Sequence, residues 1–144
     1  METIIFDWTG TLYERHKGLF DFTKEVLDEL KTKYKIGILS KSKNIEKRKK
    51  KIEDSEISNY FSLIKVVSQK NAETLKKFMD EMKTKPAQTV IVGDRASRDI
   101  GPGNALGCKT IWVQKGDRSY DKPDEETGEP NHRIDSIKEL LGIL

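Results

Sequence analysis

Two aspartates stand where an apolar, strand-forming run stops: Asp7 after Ile4-Ile5-Phe6, and Asp94 after Val90-Ile91-Val92-Gly93. Asp99 follows Asp94 by about one helical turn. Ser40 ends another such run, Ile36-Gly37-Ile38-Leu39, and Lys70 directly precedes Asn71, a residue suited to capping a helix. Carboxylates of this kind suit a hard, oxygen-coordinated ion such as magnesium, which takes one or two carboxylates together with water and phosphate oxygen. Serine and lysine suit the phosphate itself, one by hydrogen bond and the other by charge. An aspartate can also attack phosphorus, splitting one difficult displacement into two through an aspartyl phosphate. Alone, Asp7 is equally well a turn residue, since aspartate readily bonds its own backbone in turns. The chemistry rests on the set.

For these side chains to meet, the runs that carry them must lie side by side and point the same way. The chain alternates accordingly. Strand patterns over residues 4–6, 34–40, 61–67, 89–94 and 110–113 are separated by helical ones. Leu19, Phe22, Val26, Leu27 and Leu30 recur at helical spacing, as do Leu75, Phe78, Met79 and Met82 after the Asn71 cap. Residues 44–54 suit a charged helix with only Ile45 and Ile52 as its apolar face, residues 100–106 a helix stopped by Gly107, and residues 136–141 a last short one. Such alternation predicts an α/β sandwich around a mostly parallel, five-stranded sheet. Strand tips then open onto the crevice where these sheets bind ligands. Residues 114–132, rich in Gly, Pro and charge, read as a flexible loop, either a mobile flap or a solvated connection, that starts on the site's side.

Composition removes several alternatives. At 144 residues the chain fits one domain, and its hydrophobic and charged fractions are both 35%, as in a soluble globular protein. No apolar run approaches the roughly 18 residues that would span a bilayer, and the N-terminal segment lacks the basic, apolar and cleavage regions of a signal peptide. The expectation is a cytoplasmic protein without membrane insertion. Cys108 is the only cysteine, which excludes an internal disulfide framework or a thiolate zinc site and suits a small core residue. A net charge of +3 does not demand a nucleic-acid partner. The densest basic run, residues 47–51 between Glu46 and Glu53, reads as a solvated helix face, and it lacks the interleaved aromatics of a single-strand binder. No Walker loop or nucleophile elbow is present, and His16 and His132 have no paired metal spacing and read as surface residues.

In order and spacing, Asp7-Trp8-Thr9-Gly10-Thr11-Leu12, Ser40, Lys70 and the stretch from Gly93-Asp94 to Asp99 resemble the four motifs of the haloacid dehalogenase (HAD) superfamily, over most of the chain. The resemblance implies a Rossmann-like three-layer fold. It implies Asp7 as nucleophile and magnesium ligand, with the Thr9 backbone carbonyl and the Asp94 side chain completing the protein's share of the coordination. Asp99 would support the metal directly or through water, and Ser40 and Lys70 would hold the phosphoryl group.

One departure matters. In typical phosphatases of the family the residue two after the nucleophile is a second aspartate, which protonates the leaving group and then activates water; here it is Thr9. Threonine cannot do general acid–base work near neutral pH, and losing such a group typically costs about 10² to 10⁴ in rate. The spacing also leaves no room for an inserted cap domain, and capless members act on large substrates or borrow a lid from a partner subunit. The expectation is thus a capless, Mg2+-dependent phosphohydrolase or phosphotransferase. Its substrate would be a phosphorylated small molecule or a macromolecular phosphate, with a homo-oligomer as one source of a lid. Two other readings stay open: a 2-haloacid dehalogenase-type hydrolase, disfavoured by Thr9 and the missing cap, and a catalytically weak phosphate- and metal-binding module, motivated by Thr9.

Overall fold

The computed structural model describes residues 1–116, 118 and 120–144; Asp117 and Ser119, inside the expected flexible loop, lie outside the described residues. The first strand, β1 (Thr3–Phe6), is buried along its whole length. It pairs in parallel with β4 (Lys35–Lys41) on one side and β6 (Thr89–Gly93) on the other. Beyond β4 lies β5 (Leu63–Val67), and beyond β6 lie β7 (Lys109–Val113) and β8 (His132–Ile134). Every pairing in this sheet is parallel, in the order β5-β4-β1-β6-β7-β8.

The sheet therefore has six strands where five were expected. The extra one, β8, is three residues long, too short to show an alternation, and only its pairing with β7 makes it a strand. A second difference lies before α1 (Thr23–Leu30). Leu19 belongs to β3 (Gly18–Leu19), which pairs antiparallel with β2 (Tyr13–Glu14), and not to the helix its spacing suggested. His16 and Gly18 adopt positive φ (65° and 120°), which reverses the chain and fixes the hairpin before the helix can begin.

Alternation along the strands sends residues to two helical layers. Ile4 and Phe6 face a cluster with Val26, Leu27 and Leu30 of α1, Ile52 of α2 (Ile45–Glu53) and Leu140 of α5 (Leu140–Ile143). Ile5, Leu39 and Ile91 face Leu75, Phe78, Met79 and Met82 of α3 (Ala72–Met82), with Leu106 of α4 (Gly101–Leu106) packed alongside. The result is the expected three-layer, Rossmann-like sandwich. Asn71 caps α3 in a capping box with Thr74, which fixes where the helix after Lys70 starts. Among the described residues no inserted domain lies between β1 and α1, where only the small hairpin intervenes, and no helix is long and apolar enough to cross a membrane.

The path of the chain places the site. From β1 it winds outward through β4 and β5, then crosses back to the other side of β1 for β6, β7 and β8. The order reverses between β1 and β6, and in open α/β sheets the crevice beyond the carboxyl ends at such a reversal is where ligands bind. Asp7 follows β1 and Asp94 follows β6. The connection after β7 is tied to the body at several described points: Arg95 Nε donates to Asp121 at 3.1 Å, Asn104 Nδ2 donates to the carbonyls of Thr127 and Glu129, and Thr110 N donates to Asn131 Oδ1.

Two expectations test this packing. Gly37 lets α3 lie close on the sheet, since a Cβ there would meet Met82 Sδ at 2.6 Å and the Phe78 ring at 2.8 Å. Gly37→Ala should lower stability by about 1–3 kcal/mol, read as a lower urea midpoint with an unchanged slope. Cys108 is buried beside Met79, and burial pushes its thiol up to about 11. At pH 8, iodoacetamide should label the urea-unfolded chain rapidly and the native protein slowly, because the thiolate is the reactive form.

Candidate active site

Asp7 leaves β1 with its N–H bonded to the Val92 carbonyl at 3.0 Å, and the chain turns at once. The carbonyl of buried Trp8 receives the N–H groups of Thr11, Leu12 and Tyr13, while Gly10, at φ 86°, donates to the Tyr13 carbonyl at 2.8 Å. The Trp8 ring stacks on Tyr13 with centroids 5.3 Å apart. This knot explains the Gly-Thr-Leu that follows Thr9: glycine supplies the left-handed turn and Leu12 fills the core. Thr9 is left half-buried on the wall of a cavity of about 390 Å³.

Asp94 arrives on the neighbouring strand end. Its backbone carbonyl accepts Trp112 Nε1 at 3.0 Å, and its Oδ2 accepts the Arg118 N–H at 2.9 Å. A side chain at Gly93 would collide with the Asp99 carboxylate, so the glycine before Asp94 is what lets Asp99 fold back. A π-helical turn over Ala96–Ile100 brings Asp99 round, and the Arg95 N–H holds its Oδ2 at 3.1 Å. Lys70 completes the group, with Nζ 2.5 Å from Asp99 Oδ1 and 3.3 Å from Asp7 Oδ1, and its side chain only 6% exposed.

Asp7, Asp94 and Asp99 each present a carboxylate oxygen within 4.8 Å of the others. Burial, and then the neighbouring charge of Asp7, pushes Asp94 up to about 9. Burial also raises Asp99, to about 6, against the opposing pull of Lys70. Burial works against the Lys70 ammonium, but the charges of Asp7 and Asp99 outweigh it and hold the group above its usual range. Three acids thus face one ammonium, and Asp94 Oδ1 is buried with no hydrogen-bond partner among the described residues. A divalent, oxygen-seeking cation fits this donor set: it would engage the orphan oxygen and offset the crowded negative charge.

Five of the six expected site residues, Asp7, Thr9, Lys70, Asp94 and Asp99, line the one cavity. Ser40 does not. It is fully buried, and its Oγ accepts Arg48 Nη1 at 2.9 Å, so that Lys41 and Ser42 form the wall at that strand tip. The sequence reading missed the cationic rim altogether. Arg48, Arg95, Arg98 and Arg118 all line the cavity with Lys41. The charges of Arg98 first, then burial, Arg95 and Lys43 hold the Lys41 ammonium below its usual range, as expected for cations crowded without an anion. A signal for Arg48 existed: it sits three residues after Ile45 and four before Ile52, on the one apolar seam of its helix, so the basic run is not uniformly solvated. Arg118 comes from an irregular connection and carried no such signal.

The chain matches the family model for haloacid dehalogenase-like hydrolases over residues 2–113. It is similar to the pyrophosphatase PpaX of Bacillus mycoides, with 29% identity over 144 residues that cover 92% of this chain and 64% of the relative. Similarity to the glyceraldehyde 3-phosphate phosphatase of Pyrococcus furiosus is 28% over 142 residues, covering 90% of this chain and 58% of that protein. The chain therefore spans less than two thirds of the length of these curated relatives. In fold it resembles the crystal structure of a HAD phosphatase from Thermococcus onnurineus, with a TM-score of 0.81 and 14% identity over 99% of this chain and 97% of the other. The family match takes in β1 through β7, and with them both strand tips that carry the carboxylates; this chain belongs to the haloacid dehalogenase-like hydrolases.

Proposed function

We propose that the chain is a capless, magnesium-dependent phosphohydrolase that passes a phosphoryl group through Asp7. The supporting observation is the convergence of Asp7, Asp94 and Asp99 beside Lys70 in a cavity whose other charged walls are cationic. The two curated relatives, named a pyrophosphatase and a glyceraldehyde 3-phosphate phosphatase, favour a phosphoester or phosphoanhydride substrate.

Asp7, Asp94, the Thr9 carbonyl and, directly or through water, Asp99 would hold a magnesium ion, which when bound supplies positive charge to the phosphoryl oxygens. The chain's own residues do the rest. A carboxylate oxygen of Asp7 forms the new bond to phosphorus as the bond to the leaving oxygen breaks, and Lys70 offsets the negative charge that the approach brings together. Arg48, held by the Ser40 hydroxyl and at 3.4 Å by the Lys41 carbonyl, is positioned to receive phosphoryl oxygens. Ser40, buried behind the cavity wall, acts through Arg48, whose guanidinium its hydroxyl oxygen holds in place. Water then attacks phosphorus as the bond to the Asp7 oxygen breaks, and its proton passes to a phosphoryl oxygen or to solvent, which frees phosphate and restores the carboxylate. Nothing at position 9 can take the water's proton, so this second displacement is the slow one.

Thr9 supports one other reading, a module that binds phosphate and metal with little turnover. Phosphate release from an aryl phosphate decides between them. Release should require magnesium, fall at least about 10³-fold in Asp7→Asn, and leave an acid-stable, hydroxylamine-labile phosphoenzyme in the parent. Activity indifferent to both magnesium and Asp7→Asn would overturn the mechanism, and reproducible absence of release would favour the binding module. Thr9→Asp should raise turnover by up to about 10²-fold, or shorten the life of the trapped phosphoenzyme. A folded Thr9→Asp protein with lower activity and an unchanged phosphoenzyme lifetime would refute the account of Thr9.

A further inference from the structure

A second cavity, of about 360 Å³, adjoins the catalytic one, and Thr9, Arg15, Ser42, Lys43 and Arg48 form walls of both. It is a continuation of the site along α2 and the β2–β3 hairpin. Among the described residues five cations line it, Arg15, Lys43, Lys47, Arg48 and Lys51, and no carboxylate. Helical spacing explains the grouping: Lys47, Arg48 and Lys51 fall on one side of α2, whereas Lys50, on another, is 3.7 Å from Asp54. A chain with 27 basic and 24 acidic residues thus gathers Lys43, Lys47, Arg48 and Lys51 into a positive strip beside its reaction centre.

The strip is partly built, not merely solvated. Arg48 is half-buried, its hydrogen bonds go to a hydroxyl and a carbonyl, and no carboxylate lies within ion-pair distance of it among the described residues. Burial works most strongly against its guanidinium; the Asp7 charge offsets part of that cost, and the nearby Arg15 charge adds to it. An anion drawn into the groove would relieve that cost. Lys51 is fixed over the Tyr13 ring, 4.2 Å from its centroid, while Tyr13 stacks on Trp8. Both faces of the Tyr13 ring are therefore engaged, and among the described groove residues the exposed His16 imidazole is the single ring left on which a base could stack. That weighs against a nucleic-acid strand and for a compact anion.

At the reaction centre, Lys70 and the proposed metal answer the charge of one phosphoryl group. Lys43, Lys47 and Lys51 are additional to it and lie on the same continuous surface. We propose that this groove is a second-phosphate subsite, so that the enzyme selects small molecules bearing two phosphate groups, cleaving one at Asp7 while Lys43, Lys47 and Lys51 hold the other. The assignment rests on the phosphohydrolase reading and adds the substrate class to it.

Calorimetric titration of the parent protein with methylphosphonate and with propane-1,3-bisphosphonate, at fixed free magnesium, tests the idea. The bisphosphonate should bind at least about tenfold more tightly. In the Lys43→Gln/Lys47→Gln protein, with its fold checked by circular dichroism, that ratio should collapse towards one. Equal affinities in the parent, or a preference that survives the double substitution, would overturn the subsite and leave the phosphohydrolase reading standing. Binding of neither phosphonate would overturn both. Salt-sensitive retention of an oligothymidylate, lost in the double variant and without any bisphosphonate preference, would also overturn the proposal and assign the groove to single-stranded nucleic acid.

Discussion

The buried ammonium of Lys70 is the contact on which the site depends. Asp94 and Asp99 are almost wholly inaccessible to water and Asp7 is partly buried, an arrangement that burial alone would oppose. Lys70 bridges Asp7 and Asp99, which reach it from β1 and from the turn after β6, while it stands itself just before the capped start of α3. Three segments far apart in sequence are thereby held at one point by charge. The sheet supplies the rest: with β1 and β6 adjacent and parallel, the two strand tips meet whatever the helices do. Removing the ammonium would leave buried carboxylates uncompensated, a far larger penalty than the loss of an exposed pair.

Around that acidic point the charge inverts. Lys41 at the end of β4, Lys43 in the connection that follows, Arg48 of α2, Arg95 and Arg98 after Asp94, and Arg118 after β7 surround three carboxylates. In the proposed function, a metal held by the acids and the cationic rim around it would orient a phosphoryl group from both sides and so confine a substrate without an inserted cap. The rim does part of what a lid would do, with charge in place of coverage.

How far could the sequence be read? The strand-tip aspartates, the Asn71 cap and the alternation of strands and helices were legible because each rests on a short-range rule: an apolar run, a capping residue, a spacing. The family motifs added the roles. What stayed hidden depends on pairing across the fold. His132-Arg133-Ile134 becomes a strand only beside β7, and Leu19 turns from helix to hairpin because of backbone angles at His16 and Gly18. Ser40 lies one residue inside the end of β4, and its partner, Arg48, comes from the next helix, which composition presented as a solvated face. The rim as a whole could not be foreseen, since its members gain meaning only from the cavity they share.

The turn after Asp7 has one further consequence. Its backbone is fixed by the Trp8 carbonyl, by Gly10 and by the Trp8–Tyr13 stack, and none of these bonds uses the side chain at position 9. The scaffold is therefore indifferent to what stands there. Over evolutionary time that position can drift between acid and hydroxyl without threatening the fold. In the proposed function, replacing that one side chain would change how long a captured phosphoryl group is kept while the architecture stays as it is.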